Sequence, residues 1–447
     1  MQIATRTASH RSIHTTTKQI ITDVIGDING TPDFVLVAYT PNYREKKEYE
    51  KAISKIQEES GTHNIIGGTF PAVATADELP TTQGCSAMAI KSSELDVHSP
   101  VSYSNIRLNP EKGSDKLVNL FKNDQNRFKT GFFLTPGPFF PPGAFEGMKA
   151  MDTVFAHKFR GMFNQVGKLI NRSMAKNGHG VTSFAYKILQ KLLENGVENT
   201  LGGATIDLDM LSCYQFQGDN VFQNALVGTV FSSNTINFEH NWTFDQSKKN
   251  KSFELSKGLK SSSYLHEIND KPAQEEFLNQ IGLSKELYEE AFKNMAYASL
   301  LYLSTLKSEN QGSLPFVSVC HPILKGVIAT IPEEILDESD KIAEFCTQSG
   351  IGVQESAYEC ASSLAQGVDH PLFGLFINCS NRLLIAGDKI EEENNMIKKA
   401  LGPDVPFMTL YSGGEFSIIK NKPIYAAVSV HGLVAGYNNS PQKNVVL

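Results

Sequence analysis

The chain has 447 residues, 40% of them apolar and 20% charged, with a formal charge of −7. That is the balance of a soluble globular protein with length for two or three domains. The negative charge argues against a surface built for nucleic acid, and no apolar run approaches the roughly 20 residues that cross a bilayer.

The start, residues 1–21, carries Arg6, Arg11 and Lys18 and no acid until Asp23. Acid-poor starts occur in transit peptides, but Ile3, Ile13, Ile20, Ile21, Val24 and Ile25 predict a first strand and helix instead. Three continuous apolar runs follow along the chain: DFVLVAY (33–39), GFFLTPG (131–137) and PLFGLFINCS (371–380). Runs of this kind read as strands buried on both faces. After each comes helical sequence, at 45–60, 184–196 and 391–402, and then a strand-like stretch with paired glycines: NIIGGTF (64–70), TLGGATI (200–206) and LYSGGEFSII (410–419). Another apolar run closes each set, at 84–90, 225–231 and 425–432.

The chain thus uses one unit three times: strand, helix, Gly-Gly strand, strand. Strand–helix–strand spacing predicts a parallel crossover, and the short last connection an antiparallel pair. The fold class is therefore α/β (mixed α+β), with mixed, partly antiparallel sheets and packed helices. A fourth, eroded copy is read at 314–331, and the polar stretch SKKNKSFELSKG (247–258) reads as the loop between two domains.

The region 138–195 reads as an insertion. TPGPFFPPGAF (135–145) predicts a stiff aromatic loop, and from 144 to 176 Met148, Met151, Phe155, Phe159, Met162, Val166 and Leu169 recur at steps of three and four. Lys149, Lys158, Arg160, Lys168, Arg172 and Lys176 fill its other positions, making a basic amphipathic helix. It suits a lid over the sheets, a partner groove or an anionic surface.

The order of these motifs resembles the FIST family. PDFVLVAYTPNY, NIIGGTFPAVAT, TLGGATIDLDM and NALVGTVFSS are similar to a FIST N-terminal domain; YLHEINDKPAQEEFLNQIG, LFINCSNR and VPFMTLYSGGEF are similar to a FIST C-terminal domain. The resemblance implies an N-terminal-like domain at 1–246, a C-terminal-like domain at 259–447, and an intracellular sensory module for small ligands, amino acids among them. FIST proteins often feed kinase, cyclase or chemotaxis outputs, and one branch carries an F-box. No such output signature is seen, and little chain precedes residue 33 for an F-box. The family's closing H-N-x-T element is VSVHGLVAG here, which keeps His431 without the Asn.

The expected ligand-binding residues are Arg382, Tyr411, Gly413, Gly414, Glu415 and His431. Bare backbone at the glycines lets a ligand approach, their N–H groups meet an anionic end, Arg382 grips a carboxylate through two hydrogen bonds and Glu415 meets an ammonium. The competing reading pairs Arg382 with Glu415 to pin two strands. The glycine pairs at 67–68 and 202–203 read as turns or bulges between packed sheets.

No catalytic residue is assigned. Cys379 lies in an apolar run, where burial raises a thiol's pKa, and Cys320–His321 lacks metal-ligand spacing to another donor. Neither G-x-G-x-x-G nor a P-loop occurs, so no metal and no cofactor is expected. Two other functions stay open: a partner-recruiting scaffold working through 139–176, and an uncharacterised enzyme.

Overall fold

The computed structural model describes residues 1–43, 45–139, 169, 172–207, 212–245, 248–255, 257–259, 264–293, 301–308, 312–320, 325–329, 331–332, 334–335 and 339–437. The basic helix read over 144–176 falls outside them except for 169 and 172–176, as do residues 140–145 of the aromatic loop.

The three-fold repeat in the sequence is a three-fold repeat in the fold. In the first unit, Phe34–Tyr39 runs parallel to Ile65–Thr69, and Cys85–Lys91 returns antiparallel beside Phe34–Tyr39. The second unit repeats this with Phe128–Pro136, Thr200–Thr205 and Ala225–Ser233. The third does so with His370–Cys379, Phe407–Ser412 and Ser429–Tyr437. A strand preceding each unit extends its sheet at the return strand: Gln2–Ala8, Val101–Ser104 and Ile236–Phe244.

The helices expected between the strands form as Lys46–Ser60, Phe184–Glu194 and Ile390–Leu401. Each is paired with a second helix from just before its unit's first strand: Ile13–Ile20, Pro110–Asn123 and Gly350–Gln366. Apolar periodicity explains why these helices sit outside and the sheets inside. Along Phe34–Tyr39, the side chains of Phe34, Leu36 and Ala38 point to a core shared by all three sheets, whereas Val35, Val37 and Tyr39 lie under the first unit's helices. Phe132 and Leu134 belong to the shared core and Phe133 faces the second helix pair; Leu375 and Ile377 belong to it and Phe376 faces the third. Burial on both faces is what made these runs continuous rather than alternating.

The units are locked into a ring. After its glycine strand, each unit sends a strand into the next sheet: Val73–Thr75 pairs with Phe407–Ser412, Gln215–Gln217 with Ile65–Thr69, and Glu415–Ile419 with Thr200–Thr205. Backbone hydrogen bonds tie the same corners, from Ile206 N–H to Thr69 O, Gly413 N–H to Ala204 O and Tyr411 N–H to Ala72 O.

This ring explains two glycine pairs. Those at 67–68 and 202–203 lie inside regular strands, not in turns or bulges. A Cβ on Gly68 would stand 2.4 Å from Thr205 Cγ2 of the second unit, and one on Gly203 3.0 Å from Ile377 Cγ2 of the third. What approaches these backbones is the neighbouring unit. Gly68→Ala is therefore expected to cost about 1–3 kcal/mol in urea unfolding, since Tyr214 O, a backbone atom, also blocks the position at 2.7 Å. Gly203→Ala, facing only a flexible side chain, is expected to cost less.

Two expectations are corrected. The stretch read as an interdomain loop holds strands Lys248–Glu254 and Lys257–Leu259, which begin an antiparallel eight-stranded sheet. Their polar residues belong to a sheet partnered by backbone pairing with Ser339–Thr347 and Tyr264–Ile268, not to a linker. The stretch read as a fourth copy lies in that same sheet: Gly312–Cys320 pairs antiparallel with Leu301–Ser308 and Val327–Ala329, with no parallel crossover. The eight-stranded sheet is inserted into the third unit, between its edge strand Ile236–Phe244 and its helix Gly350–Gln366. The five-stranded sheet consequently joins residues from both sides of the 247–258 stretch, as it also joins Val73–Thr75 to the C-terminal strands.

Candidate functional site

The third glycine pair differs from the other two. The strand read through 410–419 is broken at Gly413–Gly414, where the chain leaves the five-stranded sheet and enters the seven-stranded one. Both glycines are partly exposed, whereas Gly67, Gly68, Gly202 and Gly203 are buried. A Cβ on Gly413 would meet Ile206 at 2.8 Å and Pro138 at 3.1 Å, so packing requires that glycine. A Cβ on Gly414 would meet nothing among the described residues nearer than Thr182 Oγ1 at 3.4 Å. Gly414 is not in the left-handed region either. Neither sterics nor dihedral angle demands a glycine there.

The amides of this pair are already used. Gly413 N–H donates to Ala204 O at 2.8 Å, and Gly414 N–H to Ser412 Oγ at 3.2 Å. They are not the free anion-binding donors that the sequence suggested.

Arg382 sits on the short helix Asn381–Ala386 and is fully buried. Its partner is not Glu415 but Glu393, with Nε to Oε1 at 2.7 Å. The remaining guanidinium donors reach Val428 O at 3.2 Å, Val353 O at 2.6 Å and Ser356 Oγ at 3.1 Å. Tyr411 donates to Glu393 Oε2 at 3.0 Å and Asn378 Nδ2 to Oε1 at 2.9 Å. Arg382 and Tyr411 thus meet on one carboxylate, which sequence reasoning missed. Its trace was the spacing: Glu393 stands four and eight residues before Ile397 and Leu401 on the buried face of its helix.

Glu415 is fully buried and accepts from Ser412 Oγ at 2.9 Å and Ser429 Oγ at 3.3 Å. Burial pushes its carboxyl up to about 8, against the lowering pull of the Ser412 hydrogen bond and the Arg382 charge, so it is protonated at neutral pH. The Cys379 thiol beside it is also pushed well up by burial, then by the Glu415 charge, which disfavours a thiolate nucleophile. His431 lies apart, in the seam between sheets, with Nδ1 2.8 Å from Ser417 Oγ and its ring 5.7 Å from that of Trp242. Burial holds it neutral, with its pKa down to about 3. Where a Gly414 Cβ would stand, Thr182 and Ala204 lie at ordinary contact distance, and Thr182 shares a hydrogen bond of 2.6 Å with the Tyr425 hydroxyl.

The model of the FIST N domain matches residues 33–271 of the chain. The chain belongs to the FIST family. FIST is a sensory domain family, which suggests a role in signal transduction. The matched region takes in the first two units from Phe34 onward, the edge strand of the third, and the first strands of the inserted sheet. The third unit of this FIST protein, beyond the match, repeats the strand order of the first two. No curated protein matches the chain. No helix among the described residues is long and apolar enough to cross a membrane, and no cluster of His, Cys, Asp or Glu among them is arranged to hold a metal.

Proposed function

We propose that this FIST protein is a small-ligand sensor whose ligand docks at the Gly413–Gly414 strand end. The observation that carries the reading is Gly414: of the paired glycines at the three equivalent strands, it alone is both partly exposed and, among the described residues, without a neighbour that would exclude a side chain. The site lies at the C-terminal ends of parallel strands, where open α/β sheets receive ligands. Thr182, Tyr425 and Ser412 supply hydroxyls around it, and Glu415 lies just beneath.

In this reading Gly413 and Gly414 form the ligand-facing floor, with the buried Glu415 beneath it. Arg382 and Tyr411 are positioning residues that hold the end of the third unit through Glu393, and His431 buttresses the seam behind it. A charged metabolite of amino-acid size suits this surround. Glu415 is neutral in the free protein and would ionise against an ammonium.

Thermal-shift screening of the full chain against amino acids and related metabolites tests the reading. Gly414→Ala is expected to leave stability within about 0.5 kcal/mol, because the new methyl finds ordinary contact distance. It is expected to weaken any ligand that stabilises the native chain by about tenfold or more. A panel that yields no stabilising ligand, or a ligand indifferent to Gly414→Ala, overturns this function.

A further inference from the structure

The glycine amides are occupied, so an anionic ligand group needs another donor. Arg107 is that donor in waiting. It is 8% exposed, and no carboxylate among the described residues pairs with it. It precedes the helix Pro110–Asn123 in an isolated sequence context, Ile-Arg-Leu, that gave no hint of a site. Its Nη1 donates to Val181 O at 2.5 Å and its Nη2 to the carbonyls of Pro136 and Gly137. The Phe184 ring lies 5.0 Å from its guanidinium carbon. Its Nε has no hydrogen-bond partner among the described residues. Carbonyl dipoles and a ring face soften the burial of a cation but do not neutralise it. Burial has lowered its pKa to about 10.

Two chain segments place this guanidinium beside the glycine pair. Val181 accepts from Arg107, and the next residue, Thr182, faces Gly414. Gly137 accepts from Arg107, and the next residue, Pro138, packs on Gly413. The fork and the open backbone therefore share both walls.

We propose that Arg107 supplies the anion-binding half of the Gly413–Gly414 site, so that the ligand carries a carboxylate or an equally compact anion. This rests on the docking reading above. The Nε–H, unpaired among the described residues, is the donor left for an anionic oxygen, and a bound anion would supply the countercharge that no described carboxylate does.

The test is a thermal-shift comparison on the full chain at constant ionic strength. Each proteinogenic L-amino acid is set against its carboxamide, with acetate and acetamide as the minimal pair. The inference predicts that at least one acid raises the Tm and its amide does not. Arg107→Gln and Arg107→Lys should each weaken the apparent affinity for that acid by at least tenfold, the lysine keeping the charge but not the Nε–H donor. The native chain alone decides the acid–amide contrast, should either variant fold poorly. If an amide stabilises as well as its acid, and Gly414→Ala abolishes both, the docking site stands and the role of Arg107 is overturned. If neither acid nor amide stabilises the chain, both are overturned.

Discussion

Replacing Arg382 by methionine is expected to destabilise the folded chain by about 3–5 kcal/mol, read as a fall in the urea midpoint with an unchanged slope. The size follows from what the substitution leaves behind. Glu393 is fully buried and would keep a carboxylate with only Tyr411 and Asn378 as donors. The carbonyls of Val353 and Val428 would each lose a donor as well. Removing both charges, with Arg382→Met and Glu393→Leu together, is expected to recover part of the loss, because no uncompensated charge remains. A ligand-gripping arginine predicts otherwise: little change in stability and a large change in binding. The double-mutant cycle in urea separates the two.

The second large effect is a stability maximum near pH 6.5, set by three buried groups. His240 and His431 are both held neutral by burial, each with its pKa down to about 3. His240 Nε2 lies 2.8 Å from Thr130 Oγ1. The unfolded chain binds protons at these histidines from about pH 6.5 downward while the folded chain does not. Stability is therefore lost as the pH falls from 6.5 toward 3, by about 1.4 kcal/mol per pH unit for each histidine. Glu415 acts on the other limb. Its folded pKa, about 8, is above the ordinary glutamate value of 4.5, so its contribution is complete below pH 4.5 and is lost as the pH rises toward 8. Between 4.5 and 6.5 the two histidines outweigh it, leaving a net loss on acidification. Glu415→Gln is expected to flatten the alkaline limb and stabilise the chain at pH 8 by about 2–4 kcal/mol. Urea midpoints from pH 4 to 8 for both chains check this, below the range in which the buried thiols of Cys85, Cys213, Cys360 and Cys379, all pushed up by burial, add an alkaline loss of their own. An alkaline limb that survives Glu415→Gln would contradict the assignment.

The body of the fold was legible because its central strands are buried on both faces. FVLVAY and LFINC cannot be surface strands, and their spacing from helical sequence fixes the parallel crossover. The glycine pairs were legible as places of close approach. Their partner was not, because Gly68 against Thr205 and Gly203 against Ile377 are contacts between units 137 and 174 positions apart, and a local pattern carries no trace of them. The inserted sheet was missed for a different reason: KKNKSFE has the composition of a loop and becomes a strand through its ladder with Ser339–Thr347. At the site, Glu393 was hidden in an acidic run that reads as a solvated helix start, although its place in line with Ile397 marks it as buried. Arg107 had no signal at all, since its significance lies in the carbonyl ends that fold toward it.

The account stands on the backbone at Gly414 being open to a small molecule rather than to the protein. A crystal structure of the full chain, purified without unfolding, measures this most directly. The account predicts density for a non-protein molecule against the Gly414 Cα, bounded by Thr182 and Tyr425, with an anionic group turned toward Arg107. Side chains of the protein itself filling that position, with a carboxylate of its own on Arg107, would contradict it.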